Sequence, residues 1–303
     1  MPLTFQTLDV FTPHRYAGNP LAVVLDADPL SPEQMQAIAR EFNLPETVFV
    51  LKPTNQAHSA RIRIFTPTAE VPFAGHPTIG TAALLADMRM GSLPGNHDAL
   101  IALEEEIGVV RVGVRLRQGQ AAFAEFDAPR LPEASGALAS PEQIGAALGL
   151  TPGEIGFANH RPVRFSAGTS FAFVPVASRA AIARAQVRRP AWDTAFGGQG
   201  LVGVYLYTRE CVHTAASFHA RMFAPDMGIP EDPATGSAAV SFAGVIRAFD
   251  DLPDGVHRRI IEQGYQMGRP SEVSLALEVT QGRLHNVRIG GSVVRVAEGQ
   301  LLD

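Results

Sequence analysis

The strongest constraint on this chain is that it repeats itself. Arg63-Ile64-Phe65-Thr66-Pro67 returns as Arg221-Met222-Phe223-Ala224-Pro225. Downstream of each, His76-Pro77-Thr78-Ile79-Gly80-Thr81-Ala82-Ala83 is echoed by Asp232-Pro233-Ala234-Thr235-Gly236-Ser237-Ala238-Ala239. A fainter echo lies upstream, where Gly18-Asn19-Pro20-Leu21-Ala22-Val23-Val24 faces Gly168-Thr169-Ser170-Phe171-Ala172-Phe173-Val174. Three features recurring in the same order point to tandem duplication rather than to chance likeness of two strand-turn-helix units. In this register His76 and Asp232 hold equivalent places, and both motifs open a helix.

A chain of 303 residues is long enough for two such halves, each burying its own core. The segment Asp127 to Ser140, rich in Pro, Ala and Gly, is the expected linker. The expected halves are residues 1–117 with a returning strand near 291–303, and 118–290. Strand-like runs outnumber helical ones, so the expected class is α+β rather than a doubly wound parallel sheet. Small-residue helices are expected from about Thr78 to Met88 and from about Thr235 to Arg247. Ser31-Pro32-Glu33-Gln34 carries the marks of a helix start.

Net charge of −5 without blocks of like charge argues against nucleic acid or an anionic membrane as the main partner. There is no signal-peptide pattern at the amino terminus and no apolar run long enough to span a bilayer, which leaves a cytoplasmic expectation. Cys211 is the sole cysteine, so neither an internal disulfide nor a thiolate metal cluster is available. The histidines lack metal-ligand spacing. Lys52, the only lysine, ends an apolar run before Pro53, a poor setting for Schiff-base chemistry. Gly198-Gln199-Gly200-Leu201-Val202-Gly203 fits a dinucleotide fingerprint but runs into a strand where a helix is required.

The chemistry therefore rests on the repeated motifs. The first turn of a helix offers unpaired N–H groups and partial positive charge, and glycine lets a ligand come close to them. Two such starts facing one cleft would take an anionic substrate, its carboxylate held near Gly75, His76, Gly236 and Ser237. The plainer alternative is tight packing of a central helix. His76 and Asp232 are then either helix caps or an acid and a base across that cleft. Glu46, at a helix-to-strand junction, is either a solvated loop carboxylate or a proton shuttle whose pKa an apolar cleft raises.

Gly18-Asn19-Pro20, Asn43-x-x-Glu46-Thr47, Phe65-Thr66-Pro67, Pro72-Phe73-Ala74-Gly75-His76-Pro77 and Glu231-Asp232-Pro233-Ala234-Thr235-Gly236-Ser237-Ala238 together resemble the phenazine biosynthesis PhzF family, over nearly the whole chain. The resemblance implies the diaminopimelate epimerase-like fold, two pseudo-symmetric halves each wrapping a barrel-like sheet round a central helix. It also implies a homodimer without a cofactor, acting on a small anionic substrate. The family's named activity isomerises trans-2,3-dihydro-3-hydroxyanthranilate, moving a hydrogen from ring C3. By that resemblance Glu46 takes and returns the proton, His76 and Asp232 orient substrate and assist, and Asn19, Gly75, Gly236 and Ser237 bind it.

Two departures stand out. Related epimerases carry one cysteine per half, and Cys211 lies outside both motifs, which speaks against two-thiol chemistry. Pro45 stands where the isomerase commonly has serine, and Gly197 to Ala220 differs from the phenazine enzyme, leaving the substrate open. An epimerase or racemase of a small amino or hydroxy acid, and a non-catalytic binding protein on the same fold, are the rival readings.

Overall fold

In a computed structural model the described residues are 3–302; Met1 and Pro2, where the reading of the amino terminus begins, lie outside them. The chain forms two compact units, residues 1–127 with 290–303, and residues 128–289. The first unit thus extends to Asp127, ten residues beyond the expected 117, because the strand over Ala122–Asp127 completes its sheet.

The first unit contains β1 (Leu3–Val10), β2 (Asn19–Val24), α1 (Pro32–Phe42), β3 (Glu46–Leu51), β4 (Ala60–Phe65), β5 (Glu70–Val71), α2 (Gly75–Met90), β6 (His97–Glu105), β7 (Gly108–Leu116) and β8 (Ala122–Asp127). The second contains β9 (Glu133–Ala134), α3 (Pro141–Leu148), β10 (Val163–Ser166), β11 (Ser170–Pro175), α4 (Arg179–Arg184), α5 (Ala191–Phe196), β12 (Gly203–Thr208), β13 (Phe218–Ala224), β14 (Ile229–Asp232), α6 (Gly236–Phe249), β15 (Gly255–Gln263) and β16 (Ser271–Thr280). The last strand, β17 (Arg283–Leu301), starts in the second unit and belongs to the first from Gly290 onward.

In the first unit β1 pairs antiparallel with β2, β2 parallel with β3, β3 antiparallel with β4, and β4 parallel with β6. Antiparallel pairs β6–β7 and β7–β8 follow, and β17 joins β8 to β1. The circuit closes as an eight-stranded barrel. The second unit repeats the order of pairs: β10–β11 antiparallel, β11–β12 parallel, β12–β13 antiparallel, β13–β15 parallel and β15–β16 antiparallel. This is the diaminopimelate epimerase-like architecture, of mixed α and β composition with few helices.

Helix α2 packs against β1, β2, β3, β6, β7 and β8, so it lies inside the barrel. Every residue from Gly75 to Ala86 is buried, which explains the absence of a polar face. Its small residues permit the fit: a Cβ on Gly80 would sit 2.6 Å from Leu21 Cδ2 and 2.8 Å from Val10 Cγ2. Helix α6 is buried in the same way from Ala238 to Ile246.

Two carboxylates mark the duplication in side chains. Glu104 of β6 accepts N–H bonds from Thr54 and Asn55 and contacts His58 Nδ1 at 2.8 Å. Glu262 of β15 accepts N–H bonds from Val212 and His213 and contacts His219 Nδ1 at 2.8 Å. In each unit a glutamate at the same strand position ties down the loop after the corresponding strand, satisfying two backbone donors that would otherwise be unpaired.

Candidate active site

Of the longer helices, α1 and α3 begin with capping boxes, Ser31 with Gln34 and Ser140 with Gln143. Helices α2 and α6 do not. Their N-caps, Ala74 and Thr235, make no side-chain cap bond, and neither first turn holds an acid. Neither N-cap side chain thus takes up the first-turn N–H groups of its helix, which suits them to an anion.

The structure corrects the register of the repeat. Gly75 and Gly236 are each the first residue of their helix. Arg63 holds Glu70 through two bonds of 2.7 and 2.6 Å, and Arg221 holds Glu231 through two of 2.8 Å. With those anchors matched, Val71 corresponds to Asp232 and His76 to Ser237. His76 lies inside the first turn, whereas Asp232 ends β14 before its helix begins. The shared His/Asp-Pro spelling had aligned Gly80, in the second turn of α2, with Gly236 at the start of α6.

In the first unit, α1 ends at Asn43, a left-handed residue with φ 51° that turns the chain into β3. Glu46 is the first residue of β3 and pairs with Leu21 in the parallel ladder. Beside it, Gly18 has φ 66°, and a Cβ there would meet Val10 O at 2.3 Å, so only glycine lets the chain enter β2 at Asn19. Asn19 is fully buried.

The first turn of α2 places His76 Nε2 3.3 Å from Glu46 Oε2, with both side chains mostly buried. That separation is an ion-pair distance without hydrogen-bond alignment. The remaining ring nitrogen, Nδ1, bonds to the backbone of Pro20. Burial pushes His76 down to about 3, against a smaller upward pull from the Pro20 bond. The imidazole is therefore neutral, with Nδ1 fixed as donor to a carbonyl and Nε2 directed at the carboxyl.

In the second unit Asp232 is 9% exposed, and its Oδ2 accepts the Thr235 hydroxyl at 2.6 Å. Gly236 and Ser237 form the first turn of α6. The structure thus brings Glu46, His76, Asn19 and Gly75 together in one unit, and Asp232, Gly236 and Ser237 in the other. Sequence reading passed over Thr235, Gln263, Thr78 and Glu105, which line the same helix starts. The pairing Glu104-Glu105 with Glu262-Gln263 was the available signal.

Among the described residues no three His, Cys, Asp or Glu side chains gather as metal ligands, and no helix is long and apolar enough to cross a membrane.

Residues 8–299 match the phenazine biosynthesis-like protein family, PhzC-PhzF. The chain belongs to that family. An uncharacterized isomerase of Mesorhizobium japonicum is 51% identical, the match covering 97% of this chain and 96% of that one. A trans-2,3-dihydro-3-hydroxyanthranilate isomerase of Pseudomonas chlororaphis is 34% identical, covering 97% and 98%. The crystal structure of a PhzF-family phenazine biosynthesis protein from Bacillus anthracis superposes with a TM-score of 0.88 at 25% identity, covering both chains fully. As a PhzF-family protein, the chain is an isomerase.

Proposed function

We propose that this chain is a cofactor-independent acid/base isomerase of a small, cyclic carboxylate, with Glu46 as the group that takes a proton from one carbon and returns it to another. The observation that carries this reading is the contact between Glu46 Oε2 and the neutral His76 Nε2 at an uncapped helix start. With Nδ1 bonded to a carbonyl, the neutral Nε2 offers a lone pair, so it meets Glu46 as an acceptor once the carboxylate has taken a proton, and that proton is held and returned without creating a buried charge pair. His76 orients the carboxyl. Asp232 assists proton movement, and Asn19 with the N–H groups of Gly75, Gly236 and Ser237 holds the substrate carboxylate. The relatives named for trans-2,3-dihydro-3-hydroxyanthranilate supply the reaction type and a first substrate to try. The same reading extends to a cytoplasmic homodimer.

The test is Glu46→Gln, nearly isosteric and without the base. The wild type is offered trans-2,3-dihydro-3-hydroxyanthranilate and a panel of cyclic and amino-acid carboxylates in deuterated water. On whichever compound turns over, kcat of the variant is expected to fall by about 10³ or more. Retained turnover sinks the assignment of Glu46. Deuterium entering recovered substrate of unchanged skeleton would transfer the chain to the epimerases.

A further inference from the structure

Gln263, the last residue of β15, is fully buried, and nothing in the reaction calls for an uncharged amide there. Its contacts explain it. Oε1 accepts the Thr235 N–H at 3.3 Å, while Nε2 donates to the Asp232 carbonyl at 2.8 Å and to Thr235 Oγ1 at 3.1 Å. The backbone decides the orientation of the amide: the Thr235 N–H needs an acceptor and the Asp232 carbonyl needs a donor. A flipped amide would set donor against donor and acceptor against acceptor.

That orientation has a consequence for the neighbouring hydroxyl. Thr235 Oγ1 receives a hydrogen bond from Gln263, and Nε2 has no lone pair to offer in return. The single hydroxyl proton is therefore directed away from Gln263, toward Asp232 Oδ2 at 2.6 Å. Amide, hydroxyl and carboxylate form a chain with one possible direction, ending on the carboxylate as acceptor.

We propose that Gln263 is a positioning residue, which holds the Asp232 carboxylate in place and as a hydrogen-bond acceptor through Thr235. The proposal rests on the reading in which Asp232 takes part in the reaction, because only then does its orientation bear on turnover. Three ionisable groups near Asp232 have settings of their own. Tyr205 of β12 lies opposite Met222, which pairs with Asp232, and burial first and then the Asp232 charge keep its hydroxyl protonated. Glu231 is held by Arg221, and Glu262 by His219 and two backbone N–H groups.

The experiment follows the Asp232 carboxyl by carbon NMR of the unliganded, aspartate-labelled protein, with Asp232→Asn for assignment. Gln263→Ala and Thr235→Val are each expected to raise the Asp232 titration midpoint by about one pH unit or more, since the hydroxyl bond to the charged form is no longer directed in the first and is lost in the second. The double variant moves it no further than the larger single shift, because the two residues act in series. Thr235→Ser, which keeps the hydroxyl, retains the wild-type midpoint. If Gln263→Ala does not fold, Thr235→Val against Thr235→Ser still decides the link to the carboxylate, and Gln263→Glu read below and above its own titration decides the amide's part. An unmoved midpoint with only a lower Tm overturns the proposal, as does a Ser variant that behaves like Val. No substrate is needed, so this outcome is separate from loss or survival of the Glu46 assignment.

Discussion

The helix starts of α2 and α6 share a backbone and differ in the side chains brought to it. Both are uncapped, both begin with glycine, and both lie beside the end of a strand that carries Glu104-Glu105 in one unit and Glu262-Gln263 in the other. The first unit places an imidazole in the helix turn, at His76, and leaves apolar Val71 at the strand end. The second places a hydroxyl in the turn, at Ser237, and an acid at the strand end, Asp232. Duplication supplied two equivalent uncapped helix starts. Their difference comes from substitutions at two pairs of positions, and under the proposed function that difference gives a scaffold with internal symmetry its direction.

The two units differ most in the burial of their paired arginines. Arg221 is 6% exposed; besides Glu231 it donates to the carbonyls of Ile182, Ala183 and Ala185 at the end of α4. Arg63 hydrogen-bonds Glu70 and lies over the Phe65 ring, and its side chain is 27% exposed. Removing the first leaves a mostly buried carboxylate without its partner and takes a donor from each of three carbonyls, of which Ile182 keeps the Ala185 N–H; removing the second leaves groups that water can reach. We expect Arg221→Met to cost about 3–5 kcal/mol and Arg63→Met about 0–1 kcal/mol in urea unfolding. Equal losses would mean that the shared motif, rather than its burial, sets the contribution.

The architecture was legible because duplication writes itself into spacing: two glycine-led, alanine-rich helices, each preceded by Arg-x-Phe-x-Pro, leave few alternatives. Glu46 and His76 were legible through the family resemblance, and their contact follows from a turn at Asn43 and the parallel β2–β3 ladder. The register of the repeat was not. Residues at helix starts are chosen for backbone conformation, so the dipeptides His-Pro and Asp-Pro matched in spelling while standing at different points of the turn. Strand β15 was also missed, along with Gln263. Its sequence, Gly-Val-His-Arg-Arg-Ile-Ile-Glu-Gln, is polar at its exposed end and lacks the alternation that marks a half-buried strand. Partners that act by hydrogen bonding across strands leave no periodic trace.

Glu105 ends β6 as Gln263 ends β15. It is 8% exposed, and burial pushes it up to about 8, against a smaller opposing pull from Thr78. Thr78 Oγ1 lies 2.7 Å from Glu105 Oε1 and 2.9 Å from the Ala74 carbonyl, and one hydroxyl proton cannot serve both. A protonated Glu105 resolves this by donating to Thr78, which then donates to Ala74; the neutral carboxyl thus does in the first unit what an amide does in the second. Because its folded pKa lies above the unfolded value near 4.5, its contribution is full below about 4.5 and is lost as pH rises toward about 8. His76 acts oppositely, losing stability as pH falls from 6.5 toward about 3. Glu105→Gln is therefore expected to match the wild type at pH 5 and exceed it by on the order of a few kcal/mol at pH 9, measured by urea unfolding. A constant difference across that range would leave Glu105 ionised in the folded protein and break the analogy.

The smallest expected difference concerns the second turns of the two helices, where Gly80 corresponds to Ser241. In the first unit there is no room: a Cβ on Gly80 would press on Leu21 and Val10 at distances well inside van der Waals contact. In the second unit the same position already carries a fully buried side chain, whose hydroxyl has no hydrogen-bond partner among the described residues. Gly80→Ala gains helix propensity of about 1 kcal/mol and meets an overpacking cost of about 1–3 kcal/mol, so a net loss of up to about 2 kcal/mol is expected. Ser241→Ala removes a buried polar atom without opening a void much larger than that atom, and should be neutral or stabilising by up to about 1 kcal/mol. Thermal unfolding of the two variants checks both signs. A stabilised Gly80→Ala protein would show that the first barrel yields around its helix as readily as the second unit accommodates Ser241, and that glycine at this position serves something other than close packing.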